Sequence, residues 1–257
     1  MYPILLETEY FILPAWHFFY VLGAINTYFL AIYLSNKDDA VGFDAINTLY
    51  VIGYISSYLG ARAFSIIAEP PVEESVSGFF MQLFSFGSMT FYGGFIGGAL
   101  GVGGFARLKK IPIANLCDVC FPSVFLGLFF GRIGCFLNGD DYGLLAAVEG
   151  TIPFWVFDFG DGSYRYPIQL VEAYFAMVIA IGSIRYRQSI LKMLGPGGLG
   201  AISVAVYAIC RFFIEIYRGD NRGWVIPEIL SPAQFISIIL VLLVIFWVRY
   251  RSVKARQ

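Results

Sequence analysis

The chain has 257 residues, 58% of them hydrophobic and 18% aromatic, and only 14% charged. A soluble domain carries about 25% charged residues, so there is too little polar surface here to cover a water-facing globule. The net charge of −1 rules out nothing by itself; the composition is that of an all-α, polytopic integral membrane protein, with membrane lipids and no nucleic acid as expected partners.

The first ten residues carry Glu7 and Glu9 and no Lys or Arg. That is the wrong leader for a cleaved signal peptide, so the first apolar run is expected to be a permanent span. A spanning helix needs ~20 mostly apolar residues. Seven stretches meet this: 15–34, 44–68, 79–106, 116–137, 166–184, 197–217 and 228–248. Basic residues gather after the first, third and fifth stretches and at the C-terminus: Lys37; Arg107, Lys109 and Lys110; Arg185, Arg187 and Lys192; Arg249, Arg251, Lys254 and Arg256. Acidic residues dominate the other side, with Glu7, Glu9, Glu69, Glu73, Glu74, Glu149, Asp158 and Asp161. The positive-inside rule then puts the N-terminus outside and the C-terminus in the cytoplasm, which requires an odd number of spans. The whole chain, 1–257, reads as one transmembrane domain with an outer-side loop region at 138–165.

The third stretch is dense in glycine: Gly93, Gly94, Gly97, Gly98, Gly101, Gly103 and Gly104. Two readings are open. Small residues let helices approach closely, or the Tyr92-Gly93-Gly94 step breaks the helix and offers backbone N–H groups to a substrate. The fourth stretch ends in Gly131-Arg132-Ile133-Gly134-Cys135-Phe136-Leu137-Asn138-Gly139-Asp140-Asp141-Tyr142-Gly143. It is followed by the longest connection, in which Asp161-Gly162 between Phe157 and Tyr164 has the form of a hairpin turn.

Arg132 stands out because Arg at lipid depth costs at least ~2.5 kcal/mol on insertion scales. Other ionisable groups at depth are Arg62, Asp118, Glu172, Arg211 and Glu215. Tyr207, Arg211, Glu215 and Arg218 share one helical face by spacing. That face is either a buried structural ion-pair network or, with Arg132, the wall of a cavity that accepts an anion, for which the guanidinium fork is suited. The ligand expected there is an anionic phospholipid headgroup reached sideways from the bilayer. Arg62 is a third candidate partner. Asp118 reads as a helix N-terminal charge and Glu172 as an arginine counter-ion. His17, beside Trp16, reads as an interfacial residue, and Cys117, Cys120, Cys135 and Cys210 as small packing residues.

The 131–143 stretch resembles the signature of bacterial phosphatidylglycerol–prolipoprotein diacylglyceryl transferases. Gly60-Ala61-Arg62, Tyr92-Gly93-Gly94-Phe95-Ile96-Gly97, Tyr166-Pro167-Ile168-Gln169-Leu170-Val171-Glu172, the Tyr207–Arg218 face and Leu230-Ser231-Pro232-Ala233-Gln234 follow in that family's order. The resemblance implies a seven-span inner-membrane enzyme without metal or organic cofactor. It implies transfer of the diacylglyceryl group from phosphatidylglycerol to the lipobox cysteine of a prolipoprotein, with glycerol-1-phosphate released. It carries over Arg132 and Arg211 as essential arginines and Gly143 as an essential glycine. With them, Asp140, Tyr92 and Glu215 fall in the catalytic set, and Arg62, Gly93, Gly94, Cys135, Asn138, Tyr207 and Arg218 line the substrate.

Three positions depart from the family pattern. Tyr92 stands for a histidine, Cys135 for an asparagine and Asp140 for a glutamate. A phenol of ordinary pKa near 10 is a poor base at neutral pH, so the identity of the base is open, with Asp140 and Asp141 both available to act on the thiol or orient Arg132. The alternatives are a divergent relative acting on another lipid or acceptor, a non-catalytic lipid-binding membrane subunit, and a transporter.

Overall fold

The computed structural model describes residues 2–38, 41–68, 76–84, 90–146, 152–220, 223 and 225–254. These residues are mostly helical and form two compact units, 1–31 with 117–257, and 32–116.

In the first unit, a hairpin of β1 (Ile4–Glu7) and β2 (Ile12–Pro14) leads directly into α1 (Ala15–Asp38). The Thr8 side chain closes the turn by accepting from the Phe11 N–H at 3.0 Å. The unit continues with α5 (Ile113–Asn138), a second hairpin of β3 (Phe157–Asp158) and β4 (Tyr164–Arg165), α6 (Ile168–Leu194), α7 (Gly198–Ile216) and α8 (Pro232–Lys254). The second hairpin turns at Asp161-Gly162, where the turn chemistry puts it, with Phe157 paired to Arg165 and Asp158 to Tyr164. Helix α6 stops at Gly195, whose φ of +72° suits only a residue without a side chain. Helix α8 starts with a reciprocal cap: the Gln234 N–H donates to Ser231 Oγ at 3.2 Å and the Ser231 N–H to Gln234 Oε1 at 3.1 Å. Pro232 occupies the first helical position, where its missing N–H is harmless. Between the helices Val119, Phe125, Ala173, Ala176, Leu199 and Ala208 are buried.

In the second unit, α2 (Phe43–Ala68) packs on α4 (Phe91–Leu108), with the short α3 (Val76–Phe84) between them in sequence. Glycine makes the approach possible. A Cβ added to Gly60 would lie 2.9 Å from Gly97 Cα, and one added to Gly97 3.0 Å from Gly60 Cα.

Five helices among the described residues are long and apolar enough to cross a membrane: Ala15–Lys37, Ile113–Asn138, Ile168–Leu194, Gly198–Ile216 and Pro232–Val253. Helix α2, at 26 residues, has the length but is not among the five.

Several expectations change. The third apolar stretch is two helices, ending at Phe84 and restarting at Phe91. The Tyr92-Gly93-Gly94 step does not break a helix; it is the first turn of α4, and its glycines serve the packing on α2. Arg185, Arg187 and Lys192 are not in a connecting loop, because α6 runs on to Leu194. Glu228 lies in a turn ahead of α8, with φ +58°. Asp118 is not at the start of its own helix; it sits a turn and a half inside α5. Glu69, Glu73, Glu74, Glu149 and Arg256 lie outside the described residues, as does the side chain of Lys254.

Candidate active site

The charged face of α7 meets α5 and α6 on one carboxylate. Glu172 of α6 is fully buried. Its Oε2 lies 3.0 Å from Arg132 Nε on α5, and its Oε1 lies 3.9 Å from Arg211 Nε on α7. The Tyr207 hydroxyl donates to the same Oε1 at 2.6 Å, and the Phe125 ring backs Tyr207 at 5.0 Å between centroids. A carboxylate this deep is tolerable only when paired and hydrogen-bonded. The intrahelical pair expected from spacing also forms, with Arg211 Nη2 2.6 Å from Glu215 Oε2. Structural pairing and convergence of the arginines are therefore both present.

The loop after α5 supplies the next partner. Gly139 and Asp141 both turn through the left-handed region, at φ +88° and +60°. This aims Asp141 back at the cluster, where it pairs with Arg132 Nη1 through Oδ2 and with Arg218 Nη2 at 2.8 Å through Oδ1. Arg218 also binds Asp220 twice, at 2.8 Å each. Gly143 holds the loop in place. Its N–H donates to the Tyr166 carbonyl at 3.1 Å, while the Leu144 N–H donates to the Tyr217 carbonyl at 2.9 Å. A Cβ at Gly143 would lie 2.6 Å from Tyr166 O and 3.1 Å from Tyr217 O, so no larger residue fits without moving the strand-like contacts on both sides.

Asp140, placed in the expected catalytic set, behaves differently. Its carboxylate is exposed and faces Asn138 Nδ2 at 3.4 Å. Its backbone is held on both sides: the N–H donates to the Cys135 carbonyl at 3.3 Å and the carbonyl accepts from Gln169 Nε2 at 2.6 Å. Of the two adjacent aspartates, Asp141 is the one that meets Arg132. Cys135 Sγ lies 4.0 Å from Arg132 Nη1.

Two guanidinium nitrogens in the cluster, Arg211 Nη1 and Arg218 Nη1, are buried with no acceptor among the described residues. Buried donors in this condition call for water or a ligand. Arg132, Arg211 and Arg218 face Asp141, Glu172, Glu215 and Asp220, so the cluster is held together without a ligand and still presents donors to one.

Arg62, Tyr92, Gly93 and Gly94 lie in the second unit and His17 in the first. Arg62 is buried on α2 and its Nη2 donates to the Gln82 carbonyl at 2.5 Å. Gly93 and Gly94 occupy the first turn of α4; the Tyr92 side chain lies outside the described residues. His17 packs edge-on against Trp16, centroids 5.3 Å apart. Sequence reasoning gave no role to Gln169 or Asp220 and left Asp140 and Asp141 undivided. The left-handed backbone that separates the two aspartates leaves no trace in composition or spacing.

The second hairpin is polar at its tip. Arg165 grips Asp161 with two hydrogen bonds, 2.8 and 2.6 Å, and stacks its guanidinium 4.5 Å from the Tyr142 ring centre. The hydrogen bonds from Arg165 and from the Ser163 N–H hold the Asp161 carboxyl down at about 2, and Asp161 in turn raises the pKa of Arg165.

A family model described as prolipoprotein diacylglyceryl transferase matches residues 3–250. A phosphatidylglycerol–prolipoprotein diacylglyceryl transferase of Rhizobium meliloti is 35% identical over 211 residues, covering 79% of this chain and 69% of that relative. One of Wolbachia sp. subsp. Drosophila simulans is 32% identical over 233 residues, 87% and 85% of the two chains. One of Clostridium tetani is 29% identical over 211 residues, 79% of each. With the match running almost end to end, this chain belongs to the prolipoprotein diacylglyceryl transferase family.

Proposed function

We propose that this protein transfers the diacylglyceryl group of phosphatidylglycerol to the thiol of a prolipoprotein lipobox cysteine and releases glycerol-1-phosphate. The observation that carries the reading is the meeting of Arg132 and Arg211, from separate helices, on Glu172. Family membership supports the reaction, and the match across both units supports one transferase domain over the whole chain. The five long apolar helices, together with α2 and the α3–α4 segment, suit a seven-span arrangement with the N-terminus outside, in a bacterial inner membrane.

The reaction is an alkylation. The thiolate sulfur bonds to the glyceryl carbon as that carbon's bond to the phosphate oxygen breaks. The thiol proton is given up first, because the thiolate is the nucleophile; it is released to water, so that thiol and phosphatidylglycerol give thioether, glycerol-1-phosphate and one proton. Negative charge grows on the departing phosphate, and cations fixed beforehand at that point lower the barrier. Arg132 and Arg211 supply them. Glu172 and Asp141 hold the guanidiniums in place, while Arg211 Nη1 and Arg218 Nη1 are the donors free for phosphate oxygens. Tyr207 keeps Glu172 oriented. Gly143 sets the position of Asp141. Cys135 Sγ lies 4.0 Å from Arg132 Nη1, and Asn138 and Asp140 follow where the loop leaves α5.

The test is transfer by purified protein from phosphatidylglycerol vesicles to a lipobox peptide. The readouts are the mass of the peptide and the amount of glycerol-1-phosphate released. Equal amounts of diacylglyceryl peptide and glycerol-1-phosphate are expected; a lipidated peptide without that by-product would reject phosphatidylglycerol as donor.

A further inference from the structure

The arginine cluster has a counterpart at the other end of the same three helices. Asp118 of α5 is buried. Its carboxylate accepts the Gly197 N–H at 2.6 Å and the Gly200 N–H at 2.9 Å, so it caps the N-terminus of α7 from a neighbouring helix. Four residues on, Pro122 lies inside α5. Proline has no N–H, so the Asp118 carbonyl loses its helical donor. Arg187 of α6, also buried, fills that vacancy with Nη1 at 3.2 Å. Ser183 of α6 and Ser203 of α7 join at 3.0 Å nearby. Gly200 lets the helices touch: a Cβ there would lie 2.7 Å from Cys117 O.

The spacing of the two clusters matches on all three helices. Asp118 and Arg132 are 14 residues apart on α5, Gly197 and Arg211 are 14 apart on α7, and Glu172 and Arg187 are 15 apart on α6. At 1.5 Å per residue each separation is about 21–23 Å. The three helices are thus tied at two levels, and the lower tie fixes the height at which the upper residues meet. A slip of one residue in α7 would raise or lower Arg211 by about 1.5 Å and turn it by about 100°. The Arg211–Glu172 contact, at 3.9 Å, has no slack for that.

We infer that Asp118 is a positioning residue for the transferase reaction: by capping α7 from α5 it sets the axial register that brings Arg211 level with Arg132 on Glu172. This rests on the function proposed above. Asp118 itself touches no substrate, so its effect should pass entirely through Arg211.

The experiment is a double-variant cycle with Asp118→Asn, Arg211→Ala and the pair, in full-length protein. Rates of diacylglyceryl transfer are normalised to the folded fraction. Asp118→Asn keeps the volume and one acceptor oxygen but turns an amide donor toward a backbone N–H. The expected result is a kcat about tenfold lower, with KM for the peptide unchanged, and no additional loss when Asp118→Asn is added to Arg211→Ala. Normal kcat in Asp118→Asn, or losses that multiply in the pair, would overturn the inference. Failure of Asp118→Asn to fold would overturn it too, by making Asp118 a residue of folding alone. An inactive wild-type protein would instead reject the transferase reading itself.

Discussion

Tyr207 donates its hydroxyl to Glu172 Oε1 at 2.6 Å, across the gap between α7 and α6. This bond takes up a lone pair that would otherwise leave one face of a fully buried carboxylate to a single distant guanidinium. A hydrogen bond to a charged group is worth about 1.5–3 kcal/mol. Tyr207→Phe should therefore leave the fold intact, lower its thermal stability by a few degrees, and cut transfer by roughly tenfold or more. Transfer rate and melting temperature measured on the same preparation check this.

Asp141 and Asp140 should separate cleanly on substitution. Asp141→Ala removes a shared partner of Arg132 and Arg218, and a lost partner of a buried pair costs about 3–5 kcal/mol. Asp140→Ala removes an exposed carboxylate and keeps the carbonyl that binds Gln169. Activity should fall by at least about a hundredfold in Asp141→Ala and much less in Asp140→Ala. Equal losses, or a larger loss in Asp140→Ala, would contradict this division of roles.

Gly143 is limited by space. A methyl group at Gly143 would meet Tyr166 O and Tyr217 O at 2.6 and 3.1 Å. Both are backbone atoms bound into the neighbouring segments, so relief requires the 140–146 loop to shift. Gly143→Ala should lose transfer almost entirely while α5, α6 and α7 remain folded, as judged by helical circular dichroism.

The second hairpin offers a pH test outside the membrane-spanning helices. The Asp161 carboxyl is depressed from an ordinary value of 3.8 to about 2. A depressed acid stabilises the folded hairpin above its ordinary value and stops doing so as pH falls through the depressed one. The Arg165–Asp161 grip should hold at pH 4 and be lost toward pH 2, read as the side-chain signals of Arg165 by NMR. Asp161 is exposed, so Asp161→Asn should change neither global stability nor transfer at neutral pH.

Much of the frame is legible in the chain. The apolar stretches mark the long helices because spanning length and composition are sequence properties. The Tyr207–Arg218 face follows from helical periodicity, and the Asp161-Gly162 turn from its own chemistry. The restart of the third apolar stretch at Phe91 is not legible from composition, because Phe79–Phe84 and Phe91–Ala106 are both strongly apolar. The N-terminal hairpin is hidden as well: its strands are three and four residues long and largely exposed on both faces, so period-two alternation gives no signal. The role of Asp118 is tertiary. A carboxylate six residues into one helix carries no local mark that it caps another 79 residues away. The choice between Asp140 and Asp141 turns on one left-handed residue, and side-chain type alone cannot make it.

The central claim is that two fixed guanidiniums stabilise the departing phosphate of a lipid. Arg211→Lys tests it most directly. Lysine keeps the charge and can pair with Glu215, but it cannot also present a second planar donor toward a phosphate. Measured as diacylglyceryl transfer per folded molecule, the account predicts a loss of about 10²–10³-fold with phosphatidylglycerol still bound. Wild-type turnover in Arg211→Lys would contradict it.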